Sequence, residues 1–191
     1  SLDNESKPEK LVGLFESKQS VWEAVARINK LKDGPLNVDF VDKTVIAHVQ
    51  KTNQNLFKGT LENNNPDTIL FVEVDGDNER NSKKIVKKIS SIFEDTQAET
   101  IVPELEDVDR WLAVRDSSSH FLSFSDTKAR AIPLLDDCVI PVERCSEFMT
   151  RVEAIMASVG LEDYAFWGQA GSGIIHTAPM FDIAAVGDRQ K

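Results

Sequence analysis

The chain has 191 residues, 41% of them apolar, with 32 acidic against 22 basic side chains and a net charge of −10. That length supports one large domain or two small ones with a real core, and the negative balance repels a phosphate backbone, which argues against a nucleic-acid partner. No run of about 18 apolar residues is available to span a bilayer and SLDNESKPEK lacks the apolar core of a signal peptide, so a soluble, cytoplasmic protein is expected, with Cys138 and Cys145 as buried thiols.

The apolar run LVGLFES (11–17) predicts a strand. Ser20, with Glu23 three residues on, makes a capping box for a helix carrying Val21, Ala24, Val25, Ile28 and Leu31 on one face, and Gly34-Pro35 stops it. LNVDFV (36–41) alternates as a half-buried strand, whereas the Asn-rich segment 53–67 reads as a loop. TILFVEVDG (68–76) predicts the next strand. It leads into a helix with an inward stripe of Ile85, Ile89, Ile92 and Phe93 and a solvated side of Lys83, Lys84, Lys87 and Lys88. AETIVPE predicts a strand, and 107–124 starts as a helix but loses its period in a run of serines. PLLDDCVIP (133–141) predicts a strand with Pro141 at the first helical position. Cys145, Phe148, Met149, Val152, Ile155, Met156 and Val159 then recur at helical spacing, and Gly160 supplies a left-handed cap. EDYAFWG and GIIHTAPMFD are strands on either side of a glycine turn. Strands alternating with helices over short connections predict an α+β fold: a duplicated ferredoxin-like arrangement, with an antiparallel or mixed sheet and helices mostly on one face. The closing VGDRQK brings no further element, so a piece of a larger polypeptide is expected.

Chemistry is sparse. There is no HExxH, GxSxG or Walker loop, and the turn GQAGSG is followed by a strand rather than the helix of a dinucleotide fingerprint. Arg115 lies four residues after Trp111, on nearly the same side of a helix. Its guanidinium can fork onto the carboxylate of a small acid; the alternative is a surface ion pair with Asp109 or Asp116. His176 falls mid-strand on the face of Ile174 and Ala178, where a satisfied core histidine is the default and a ligand or proton-transfer role the rival. Gly171 and Gly173 permit a tight hairpin or the close approach of backbone to something flat. His48 and His120 are isolated. From these residues alone the chain is an acidic α+β domain for which small-molecule binding is open.

Several fragments, in order, carry a resemblance: TILFVEVDG, DRWLAVR, DDCVIPVERCSEFMTRVEAI and GQAGSGIIH, preceded by LFESKQSVWEAVARI and LNVDFVDKTVIAHV. Together they resemble the C-terminal (cap) domain of the FAD-linked oxidase family, the group of glycolate oxidase, D-lactate dehydrogenase and D-2-hydroxyglutarate dehydrogenase. The resemblance implies that residues 1–191 are part of a cap that covers a flavin, while an N-terminal FAD-binding domain of the same polypeptide, not contained in this chain, holds most of the FAD. It implies that Arg115 grips the carboxylate of a 2-hydroxy acid, that His176 takes the hydroxyl proton, that Gln169 hydrogen-bonds to substrate, and that the turn with Gly171 and Gly173 approaches the isoalloxazine. In several members two histidines of the glycine signature hold a divalent metal with a later acidic residue. Here Gln169 replaces the first histidine, Ser172 an aspartate and Ile174 an asparagine, so no tightly held metal is expected. Leu135, two before Asp137, stands where some members that oxidise dicarboxylates carry a basic residue, which implies a monocarboxylate or another substrate. A degenerate cap serving as a regulatory or interaction module, and an unrelated ferredoxin-like sensing domain, are the alternatives. The chain by itself is expected to be colourless.

Overall fold

In the computed structural model, which describes residues 8–61, 64–123, 129–182 and 184–189, eight strands join into one sheet with every pairing antiparallel. The strands are β1 (Glu9–Phe15), β2 (Asn37–Asp42), β3 (Thr68–Val74), β4 (Glu99–Ile101), β5 (Arg130–Ala131), β6 (Leu135–Val139), β7 (Tyr164–Gln169) and β8 (Ile174–Phe181). Helices α1 (Lys18–Ile28), α2 (Lys43–Thr52), α3 (Glu79–Asp95), α4 (Val108–Arg115), α5 (Ser117–Ser123), α6 (Cys145–Ser158) and the short α7 (Val186–Arg189) connect or follow them.

The expected duplication is visible in strand order. The sheet runs β4-β1-β3-β2-β7-β8, with β5 and β6 both pairing to β8. In the first half, β3 returns between β1 and β2 after α1; in the second, β8 returns between β6 and β7 after α6. The two halves meet where β2 pairs with β7.

Period-two alternation splits the core in two. Leu11, Val38, Phe40, Leu70, Val72, Phe166 and Ile175 point to one face, where the long helices α1, α3 and α6 bury Val25, Ile89 and Met149 against them. Val12, Leu14, Val41, Ile69, Phe71, Ala165 and Ala178 point to the other, covered by the shorter α2, α4 and α5. The long amphipathic helices therefore share one face as expected, but the second face is partly roofed as well. That roof is what frames the site.

Several local expectations shift. The cap of α1 is Ser17, whose side chain accepts from the Ser20 N–H, rather than Ser20 itself. Residues 43–52, given no helix by the sequence, form α2 because Asp42 caps it and Val45, Ile46 and Val49 face the core. The serine run is helical too: α5 buries Ser117 and Phe121, one turn apart, and the Phe121 ring meets His48 edge-on at 5.1 Å. Within the expected loop 53–67, a 3₁₀ turn at Gln54–Phe57 buries Phe57, and Leu61 is buried beyond it; residues 62–63 lie outside the described segments, as do Phe124 and the Gln190-Lys191 end of VGDRQK. Of the cysteines, Cys145 is buried, with its thiol pushed up to about 12 by burial, but Cys138 is partly exposed. The lysine side of α3 is exposed, as expected.

Two positions carry stability predictions. Gln97, past the end of α3, adopts φ +62 while Ala98 N–H reaches back to Phe93 O. A glycine suits this position better, so Gln97→Gly is expected to raise unfolding free energy by about 0.5–1 kcal/mol in urea titrations.

Asp42 is buried and accepts three backbone N–H groups, from Thr44 and Val45 at the start of α2 and from Phe166 in β7. Burial outweighs these donors and pushes its carboxyl from 3.8 up to about 7. Folding thus favours the protonated form: the Asp42 contribution is full below about pH 4 and is lost as pH rises through about 7. The difference in unfolding free energy between wild type and Asp42→Asn should shrink over that range; a difference that stays flat or grows would contradict the assignment.

Candidate functional site

On the face roofed by α2, α4 and α5, cross-strand register sets two rows side by side. One runs Phe71, Asp39, Gln169, Ile174 across β3, β2, β7 and β8; the next runs Ile69, Val41, Trp167, His176. The first members of each row are covered, because Trp111 and Val114 of α4 and Phe121 of α5 are buried with them. Towards β8 the roof ends. Val139 on β6 is 69% exposed and Ile174 half-buried, so the site is polar ground bordered by uncovered apolar surface.

Arg115 follows Val114 at the C-terminal end of α4, where the helix carbonyls favour a cation. Together with Asp116, Asp39, Gln169, Trp167 and His176 it lines one cavity of about 350 Å³. The guanidinium and the imidazole are thus on the same side of the sheet. Arg115 also makes the ion pair that its sequence neighbours allow: Nε donates to Asp116 Oδ1 at 2.9 Å and Nη2 to Oδ2 at 3.4 Å. With Asp116 largely exposed, this pair contributes little to stability, and another carboxylate can exchange for it at small cost.

Asp39, on the cavity floor, was not singled out by the sequence. Burial raises its carboxyl above the ordinary range, opposed by the nearby Arg115 charge and by Asn37, whose Nδ2 donates to Asp39 Oδ2 at 2.6 Å. The legible signal was LNVDFVD itself, in which Asn37 and Asp39 take the strand face that continues as Val41. Trp167 and Asp136 were missed as well. Their places follow from cross-strand register, which no local pattern encodes.

His176 is not a core histidine. It shares the face of Ile174 and Ala178, as the alternation requires, but that face is open at its end, and the side chain is 23% exposed. Its ring stacks on Trp167 with centroids 5.6 Å apart and planes 22° from parallel, and its Nδ1 lies 3.1 Å from Asp136 Oδ1.

The glycine turn is a 3₁₀ turn, Ala170–Ser172, between β7 and β8. Gly173 has φ +67, and a Cβ there would lie 1.9 Å from the Ile140 carbonyl oxygen. Gly171 borders a neighbouring cavity of about 250 Å³ with Asn29 and Val38, and its carbonyl accepts from Asn29 Nδ2 at 2.8 Å. Gly173 thus has a reason within this chain for lacking a side chain, and Gly171 a much weaker one. Gly168, not Gly171 or Gly173, lines the cavity of Arg115 and His176.

Among the described residues no three His, Cys, Asp or Glu side chains converge to hold a metal ion, and an exposed amide at Gln169 is a poor ligand for a borderline cation. The residues do not fit a metal, and no chemistry is assigned to one. The residues present leave room for a planar group: the cavity is polar and open, and Ile174 and the exposed Val139 continue the cross-strand row of Gln169 beside it.

The family described as FAD linked oxidases, C-terminal domain, matches residues 8–191. Curated relatives include D-2-hydroxyglutarate dehydrogenase of Escherichia coli (strain K12), 29% identical over 80 residues, which are 42% of this chain and 8% of that protein. Its counterpart in Pantoea ananatis (strain AJ13355) is 25% identical over 80 residues, again 42% of this chain and 8% of that protein. Among solved structures, 4-ethylphenol oxidase from Gulosibacter chungangensis superposes with a TM-score of 0.65 at 14% identity, over 96% of this chain and 41% of that one. Alkyldihydroxyacetonephosphate synthase superposes with a TM-score of 0.60 at 10% identity, over 91% of this chain and 36% of that one. At such identities the structural likeness concerns the fold. The match along residues 8–191 sets aside the reading as an unrelated sensing domain.

Proposed function

We propose, because the chain belongs to the family of FAD linked oxidase C-terminal domains, that it is the substrate-side cap of an FAD-dependent oxidoreductase acting on a small 2-hydroxy acid of the D-lactate or glycolate type. The observation that carries this reading is that Arg115 and His176 line one cavity, on a sheet face left uncovered beside them. An FAD-binding domain of the same polypeptide would hold most of the FAD, which when bound would supply the acceptor for a hydride from the substrate's α carbon. The chain's own residues bind and orient. Arg115 exchanges Asp116 for the substrate carboxylate, His176 accepts the hydroxyl proton at its cavity-facing nitrogen, and Gln169 hydrogen-bonds to the acid. The turn with Gly171 and Gly173 is the backbone proposed to face the flavin.

A monocarboxylate is favoured over the dicarboxylate in the curated relatives' names. Asp39 and Asp116 already oppose the single arginine in the cavity, so a second substrate carboxylate meets two like charges. Among the described residues no helix is long and apolar enough to cross a membrane; a cytoplasmic site of action, without nucleic acid as partner, is part of the proposal.

The replaced signature residues Gln169, Ser172 and Ile174 favour a second reading, a degenerate cap that regulates or docks but does not oxidise. Anaerobic mixing of the FAD-loaded full polypeptide with a panel of 2-hydroxy acids separates the two. Bleaching of the flavin by small monocarboxylates is the expected result. Flavin that stays oxidised with every acid tested would favour the degenerate cap.

A further inference from the structure

We propose that Asp136 is a positioning residue that sets the tautomer of His176, keeping the proton on Nδ1 so that Nε2 presents a lone pair to the cavity. The inference rests on the proposed function only for what that lone pair is used for; the tautomer itself belongs to this chain alone.

Three observations combine. In β6, Leu135 pairs with Thr177, and the register then slips before Cys138 meets Ile175. The extra residue falls in the segment that carries Asp136, and such bulges re-aim side chains next to sites. Asp136 Oδ1 lies 3.1 Å from His176 Nδ1, within hydrogen-bond distance. The ring also lies nearly parallel on Trp167, its cross-strand partner, which holds the plane of the imidazole. The aromatic wall fixes the plane of the ring, and within that plane the acceptor at Nδ1 selects which edge faces β6.

The chemistry follows from what each nitrogen can be. A carboxylate accepts and does not donate, so a neutral imidazole must offer it Nδ1–H, and Nε2 is then unprotonated. A free imidazole in water favours the opposite tautomer, with the proton on Nε2, which cannot take a proton from a substrate hydroxyl. Other charged groups around the cavity are Arg115, Asp116 and Asp39. Arg115 is a donor only, and Asp116 is engaged with it. The contact from β6 therefore decides the tautomer, as a carboxylate does for the histidine of a catalytic triad.

The test reads the tautomer directly. ¹⁵N NMR of the histidine side chains in the 191-residue chain is recorded at a pH where the imidazoles are neutral, with the His176 signals identified by their loss in His176→Gln. His176 is expected to be protonated at Nδ1 in wild type and to shift towards Nε2–H in Asp136→Asn and Asp136→Ala, with Asp136→Glu restoring part of the wild-type population. Wild-type His176 found as the Nε2–H form, or a tautomer unchanged in both Asn and Ala variants, would overturn the proposal. In the FAD-loaded full polypeptide, Asp136→Asn should slow flavin reduction at saturating acid at least tenfold with little change in KM. A shifted tautomer with unchanged reduction would uphold the role of Asp136 and refute the use of His176 as base.

Discussion

Gly173→Ala is expected to cost roughly 3–5 kcal/mol of unfolding free energy, from strain at a special backbone position combined with a steric conflict. The new Cβ would lie 1.9 Å from the carbonyl oxygen of Ile140, and that oxygen belongs to backbone with no rotamer to change. The left-handed φ adds about 1 kcal/mol for any residue with a Cβ. Relief requires the segment after β6 to move away from the turn, at the expense of the Ile140 N–H bond to Gly173 O. Gly171→Ala is the control: its Cβ would lie 3.3 Å from Val38 Cβ, a tight contact relieved by a shift of a few tenths of an ångström, and a cost of about 1 kcal/mol is expected. Urea unfolding of the two variants without any flavin gives the comparison. Equal tolerance of both would mean that the demand for glycine at 173 comes from outside this chain.

Arg115→Ala should leave stability nearly unchanged and lower kcat/KM for flavin reduction by about 10²–10³, the equivalent of roughly 3–4 kcal/mol for a lost charge-assisted fork to a carboxylate. The fold is spared because the α4 anchor is Trp111 and Val114, both buried, whereas the Arg115 pair with Asp116 is partly exposed. Arg115→Lys should recover only part of the loss, since an ammonium cannot make two parallel bonds. Steady-state kinetics on the full polypeptide, with thermal melts alongside, measure both quantities. Unaltered kinetics in Arg115→Ala would remove the arginine from the site.

The elements that could be read from the sequence are those whose residues interact with near neighbours in the chain. The inward stripes of α1, α3 and α6 repeat at helical spacing, and the alternation of β2 and β8 follows from one run each. α2 and α5 were hidden for different reasons. The Val45, Ile46, Val49 stripe is short and follows a strand without a break, while the serines of α5 have weak helical preference and are helical because Phe121 packs against His48 and Trp167. Arg115 and His176 were recognisable as chemical types, but their shared cavity depends on β2 pairing with β7, a contact between residues more than 120 positions apart. Asp136 and Trp167 reach His176 only through that same sheet, and the bulge that carries Asp136 leaves no mark in PLLDDCVIP. The exposed end of the sheet could not be anticipated either, because it depends on where α5 stops covering β7 and β8.

A structure of the FAD-loaded full polypeptide with a small 2-hydroxy acid tests the central claim most directly. The acid is predicted between Arg115 and His176, its carboxylate on the guanidinium in place of Asp116, its hydroxyl at Nε2 and its α carbon turned towards the flavin. An acid bound elsewhere, or a flavin domain docked on the α1–α3–α6 side of the sheet, would contradict the account.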